Sequence, residues 1–261
     1  MGIITKENVK KLVLEFKEKY NGLDKIINPI IEKYNLPQKE LIEVCQVGKY
    51  VHLINEQIQI IDKPKPPAPD FILKDGTNIV GLEHTRIFTE NVKAYQSIVS
   101  LFNYAEKIFR EKFPSEFALA NINLKNDKLE YKQKEKKLLA TQIADLVYNV
   151  KMGEIVNFPE YIDDIRISKH SQVSINYLEN NFQGPYLTKE NLIKEIKKKE
   201  KKIELYKSSE IVMSEYWLIL LIGSLSSVSY QLDENVDYRT NSLFDRVYLM
   251  SDFSAEIIRV K

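Results

Sequence analysis

PDFILKDGTNIVGLEHT, from Pro69 to Thr85, is the stretch that decides how this chain is read. Phe71, Ile72 and Leu73 make one short apolar strand. Asp75-Gly76 is a turn signal, and residues 79–88 form a second strand. On that second strand, period-two alternation puts Gly81, Glu83 and Thr85 on one face and Leu82 and His84 on the other. The hairpin brings Asp70 and Glu83 together at neighbouring strand ends, although Glu83 lies thirteen residues after Asp70. Carboxylate oxygens converging from adjacent strands suit a hard divalent cation such as Mg²⁺. Glu83 interrupts the apolar run Ile79-Val80-Gly81-Leu82, so it is expected to be half-buried rather than solvated.

Outward from the hairpin, the chain reads as helices followed by an alternation of helices and short strands. Residues 5–34 pattern as two helices. The first has Val9, Leu12, Val13, Phe16 and Tyr20 on one face and breaks near Asn21-Gly22. Pro37 opens a helix that runs to about Ile61, with Leu41, Val44, Val47, Val51 and Ile54 at helical spacing. KPKPPAP at 63–69 is expected to be extended and stiff, because each proline fixes its own φ and restricts its predecessor. Beyond the hairpin, Asn91 caps a helix to about Phe113, and residues 117–124 alternate as a third strand. An amphipathic helix at 132–152 leads to one or two strands within 165–178. A helix at 188–206 and strands at 216–222, 246–250 and 256–260 close the chain. This order predicts an α/β fold with a mixed sheet flanked by helices and a helical N-terminal extension. Residues 1–60 are expected to form the helical part that supplies the first core helix, and 61–261 the α/β core.

Composition excludes several functions. No run approaches the roughly 18 apolar residues needed to span a bilayer, and MGIITKENVKK lacks the apolar core of a secretory signal. Lys6 occupies the position where a myristoylation signal needs Ser or Thr. The lone Cys45 rules out an internal disulfide, fits a cytoplasmic location and is expected on an apolar helix face as core. His52, His84 and His170 have no zinc-ligand spacing, and no P-loop, Gly-x-Gly-x-x-Gly or nucleophile elbow occurs. The net charge of +1 says little about partners, but 125–137 and 189–207 are locally basic. A basic face beside a site is enough for a nucleic-acid enzyme, and each run taken separately also fits a solvated helix face.

Pro69-Asp70 followed by Glu83-His84-Thr85 resembles the signature of the PD-(D/E)XK nuclease superfamily, with Thr85 where that signature has Lys. The resemblance is best over residues 60–125. It implies a restriction-endonuclease-like fold and a Mg²⁺-dependent nuclease, with Mn²⁺ as a substitute, acting on DNA rather than RNA. It places Asp70, Glu83 and the backbone carbonyl of His84 on the metal. A third carboxylate often comes from the preceding helix, where Glu40, Glu43 and Glu56 stand open. Gln142, on the helix at 132–152, is a further candidate to face the site. Bacterial or phage defence, with a homodimer or an operon-encoded protein as partner, follows only by analogy of fold.

The Thr85 replacement leaves two alternatives. Either the domain is catalytically degenerate and binds nucleic acid or protein, or another cation takes the lysine's role. Leu192, Ile196, Ile203 and Tyr206 form an apolar seam at spacings of four and three, with Lys199 as the one vacancy. A lysine in such a seam needs a counter-charge or must keep its ammonium at the rim. Lys202 lies three residues on, over a neighbouring face. PD-(D/E)XK-like sequences with Glu-x-Thr carry a similar Ile-x-x-Lys-x-x-Lys-x-x-x-Tyr helix ahead of a Trp-containing strand, which here is Ile196, Lys199, Lys202, Tyr206 and then Trp217. By that resemblance Lys199 or Lys202 orients the water or stabilises charge on the phosphate.

Overall fold

In the computed structural model, which describes residues 14–15, 17–54, 57–180, 182–223 and 226–261, the chain forms two compact units. The first comprises residues 1–87, 186–224 and 231–261, and the second comprises 88–185 and 225–230.

The first unit is built on a six-stranded mixed sheet in the order β1-β2-β3-β7-β8-β9. Its strands are β1 (Gln59–Asp62), β2 (Phe71–Asp75), β3 (Asn78–Arg86), β7 (Glu215–Ile222), β8 (Arg246–Ser251) and β9 (Glu256–Arg259). β3, β7 and β8 run parallel, and the flanking pairs are antiparallel. Helices α1 (Leu23–Lys33), α2 (Gln38–Ile54), α5 (Lys189–Glu200) and α6 (Ile203–Lys207) belong to the same unit. β7 is buried from Trp217 to Ile222, as expected of a central parallel strand covered on both faces.

The pleat sorts the sheet's residues into two layers. Phe71, Leu73, Val80, Leu82, Trp217, Ile219, Leu221, Tyr248 and Met250 face one way and share a core with Ile30, Val44, Val47, Tyr50 and Val51 of α1 and α2. The alternate positions face the other way, among them Ile72, Glu83, Leu218, Leu220 and Leu249, and α5 and α6 contribute buried Leu192, Ile196, Ile203 and Tyr206.

The main segment of the second unit, between β3 and α5 in the chain, carries a three-stranded sheet in the order β5-β4-β6: β5 (Ile162–Ser168), β4 (Ala118–Leu124) and β6 (Val173–Tyr177). Its core combines Leu101, Phe102 and Phe109 of α3 (Val92–Lys112) and Ile143 and Val147 of α4 (Lys136–Lys151) with Ala120, Ile122 and Ile175 of the sheet.

The chain thus divides after Ile87, not at residue 60. The strand at 117–124 starts a separate sheet instead of extending the hairpin's sheet. The helix opened by Pro37 stops at Ile54, and Gln59–Asp62 is a strand paired with β2. KPKPPAP does not run straight, because the Ala68 N–H donates to the Lys65 carbonyl and closes a turn. The break at Asn21-Gly22 is present, with Gly22 at φ +86. Most of the stretch expected to form the first helix lies outside the described residues, including Val9, Leu12, Val13 and Phe16.

Candidate active site

β2 and β3 form a hairpin in which Asp75 pairs with Asn78 across Gly76-Thr77. Gly76 has φ +61 at the first loop position, where a type II′ turn takes glycine. Phe71 pairs with Leu82, so one further step in the same register sets Asp70 opposite Glu83. The two residues therefore project from the same face. Gly81 precedes them on that face. A Cβ there would lie 2.5 Å from Met213 Sδ and 2.7 Å from Pro69 Cγ, so the missing side chain makes room for the proline that introduces Asp70.

Glu83 is buried more deeply than its sequence context predicts, with 1% of its surface exposed. Lys199 Nζ and Lys202 Nζ both donate to Glu83 Oε1 at 2.8 Å, and the Tyr206 hydroxyl donates to Oε2. The expected single helix at 188–206 is interrupted to make this arrangement. α5 ends at Glu200, the Lys202 N–H donates to the Lys199 carbonyl through a turn, and α6 begins at Ile203. Thr188 caps α5 by accepting from the Asn191 N–H. The seam residues Leu192, Ile196, Ile203 and Tyr206 are buried, and the vacancy among them is filled by an ammonium on a carboxylate.

Burial opposes the charge on Glu83, but the hydrogen bonds and charges of Lys199, Lys202 and Tyr206 outweigh it and hold the carboxyl below its usual range. The opposite holds for Asp70. Burial and the neighbouring Glu83 charge push its carboxyl up to about 6, against the hydrogen bond that Asp70 Oδ2 accepts from the His84 N–H at 2.9 Å. Burial tends to lower the Lys202 ammonium, but the bond to Glu83 prevails and raises it. Burial and Glu83 drive the Tyr206 hydroxyl well upward, so it remains a donor.

His84 turns its ring to the opposite layer, as strand parity predicts. Its Nε2 lies 3.1 Å from Gln46 Oε1. Gln46 Nε2 donates to Asp252 Oδ2, and Lys49 holds Asp252 Oδ1. The Gln46 amide is thereby oriented so that His84 donates through an Nε2–H. Burial, helped by the charges of Lys199 and Lys63, lowers the imidazole to about 4, so it is neutral near pH 7. The His84 backbone N–H points to Asp70. In a strand the carbonyl of the same residue points to the same edge.

The remaining candidates sort clearly. Thr85 follows Glu83 on the same face, half-buried and paired with Leu220. Glu43 and Glu40 face Lys63 Nζ, at 3.3 and 3.7 Å. Glu56 lies outside the described residues. Gln142 is exposed on α4 of the second unit, and Cys45 is half-buried, not core. Sequence reasoning missed Gln46 and Asp252. The only local signal was an amide set inside the apolar run Val44-Cys45-Gln46-Val47.

Among the described residues, no three His, Cys, Asp or Glu side chains gather into a metal cluster. The donors expected from the sequence are the carboxylates of Asp70 and Glu83, which share one face, and the backbone carbonyl of His84; both Glu83 oxygens already accept from Lys199, Lys202 and Tyr206. All are hard oxygens, which fits a divalent cation of the Mg²⁺ type.

No protein-family model matches the chain, and no solved structure matches it. Reticulocyte-binding protein homolog 1 of Plasmodium falciparum is 27% identical over an alignment covering 91% of this chain. The chain spans only 8% of that protein's length.

Proposed function

We propose that this chain is a metal-dependent nuclease that hydrolyses phosphodiester bonds, in DNA rather than RNA. One observation carries this reading: a lysine from α5 reaches Glu83 on the face of the hairpin where Asp70 stands, so the cation missing at Thr85 arrives from another element. A PD-(D/E)XK-like site with Glu-x-Thr requires such a replacement.

Charge balance supports the reading. Ionised Asp70 and Glu83 carry two negative charges, and Lys199 and Lys202 carry two positive ones. A divalent cation would leave the site at net +2, the sign that holds a phosphodiester anion and a hydroxide together. Asp70, Glu83 and the His84 carbonyl would hold the metal, with Mn²⁺ able to replace Mg²⁺. Bound there, the metal would lower the pKa of a water and neutralise charge on the phosphate and the leaving oxygen. Lys199, with 22% of its side chain exposed, stands between Glu83 and solvent and is placed to orient the attacking water. Lys202 is more open, at 45%, and suits a phosphate oxygen. Tyr206 and the two lysines keep the Glu83 carboxylate ionised. The Gln46–His84 bond holds the strand end that presents an N–H to Asp70.

A second reading has its own observation. Both oxygens of Glu83 are hydrogen-bonded by protein groups, so the cluster is electrostatically complete without a metal. That suits a degenerate nuclease fold that only binds nucleic acid or protein.

Incubation of the purified protein with plasmid and single-stranded DNA in Mg²⁺, Mn²⁺ or EDTA, beside Asp70→Ala and Glu83→Ala, separates the two. Metal-dependent cutting lost in both variants supports the nuclease. Cutting retained by Asp70→Ala sinks the site assignment. Equal metal-free DNA binding by all three proteins, without cutting, favours the binding module.

A further inference from the structure

The lysines of α5 are not confined to the site. At 100° per residue, Lys197, Lys194 and Lys198 follow one another across the outer face of α5, Lys201 and Lys202 stand in the turn after it, and Lys199 and Lys202 bond Glu83. Lys194, Lys197, Lys198 and Lys201 line a shallow furrow with Ile193 and Glu190, and all four lysines are exposed. Among the described residues, Lys194, Lys197 and Lys201 make no ion pair, whereas Lys198 pairs with Glu195. Glu200 does not neutralise the furrow, because it accepts from the Leu243 N–H and the Ser242 hydroxyl. The negative end of the helix dipole accounts for lysines in the last turn. It does not account for Lys194, nor for an arc of ammonium groups that ends on the candidate catalytic carboxylate.

We propose that this arc is a docking track for the phosphate backbone of the nucleic-acid strand whose scissile phosphate reaches Lys202 and Lys199. The inference rests on the nuclease reading and adds to it the surface that delivers the substrate. Unpaired ammonium groups on flexible stems bind phosphates as point charges and release condensed counterions. Affinity along such a track therefore falls linearly on a log–log plot with salt, by about 0.9 in slope per duplex phosphate neutralised.

The test is fluorescence anisotropy of a labelled DNA duplex in EDTA between 50 and 200 mM KCl, which needs no cleavage. It compares the wild type, Lys194→Gln/Lys197→Gln/Lys201→Gln, and a control, Lys125→Gln/Lys128→Gln/Lys134→Gln, which removes three exposed lysines from the second unit. The track predicts that the α5 variant loses about 2–3 units of slope while the control keeps the wild-type slope. Equal losses in both triples, or an unchanged slope in the α5 variant, overturns the track. If the wild type cuts DNA with metal while the α5 slope is unchanged, the track alone fails. If the wild type neither binds nor cuts, the nuclease reading fails with it.

Discussion

Glu83 and His84 are neighbours in sequence, both buried in β3, and they point to opposite layers of one sheet. Burial pushes both toward the neutral form. Glu83 nevertheless stays charged, because α5 and α6 bring two ammonium groups and a hydroxyl to it. His84 becomes neutral, because burial, helped by the charges of Lys199 and Lys63, prevails where α2 offers only an amide. Burial alone therefore does not decide the charge state; it prevails at His84 and is outweighed at Glu83 by the partners of the covering helices. The charged layer is where reaction chemistry can occur, and the neutral layer fixes the strand that presents it.

The comparison breaks most severely if the carboxylate is removed. Glu83→Gln leaves two lysines facing an amide, and it should abolish metal-dependent cleavage. It should also cost about 1–3 kcal/mol in urea denaturation, because a hydrogen-bonded charge is lost while Lys199 and Lys202 can still reach water. A variant as active as wild type would reduce the cluster to a structural ion pair.

A smaller effect is expected from acidity. Asp70, at about 6, is roughly one-tenth ionised at pH 5 and almost fully ionised at pH 8. Mn²⁺ affinity measured by calorimetry should thus fall about tenfold between pH 8 and pH 5, and Asp70→Asn should remove that dependence. An affinity flat across this range in the wild type contradicts the Asp70 assignment.

The two layers should also oppose each other in the pH dependence of stability. His84 is lowered on folding, so the folded state holds fewer protons there. Its contribution is complete above about 6.5 and is lost as pH falls towards 4. Asp70 is raised on folding, so its contribution is complete below about 3.8 and is lost as pH rises through 6. His84→Phe should flatten the acid side of a urea-midpoint profile, and Asp70→Asn should steepen it. Coincident profiles would show that neither shift is real. The smallest effect on cleavage is expected from Gly81→Ala. Its new methyl group must displace Met213 or Pro69, at a cost of about 1–3 kcal/mol, with cleavage reduced only through the shift of Asp70.

Much of the site was legible because it rests on local periodicity. Alternation along β3 assigned Glu83 and His84 to opposite faces, and the gap at Lys199 in the α5–α6 seam marked a lysine in need of a counter-charge. Other features depend on distant partners. β4 buries Ala118, Ala120, Ile122 and Leu124 by the same alternation as a strand of the larger sheet, and alternation does not say which sheet a strand joins. β1 has four residues, too few to interrupt the helical pattern that leads into it. Gln46 finds its role only through His84, 38 positions away, and Asp252, 206 positions away.

The central claim is that the lysine absent at Thr85 reaches the carboxylates from α5. It is tested most directly by single-turnover DNA cleavage with Mg²⁺ in the wild type, Lys199→Met, and Lys199→Met combined with Thr85→Lys. The account predicts a loss of about 100-fold in the single variant and recovery of about tenfold when a lysine returns on β3. Cleavage by Lys199→Met at the wild-type rate would contradict it.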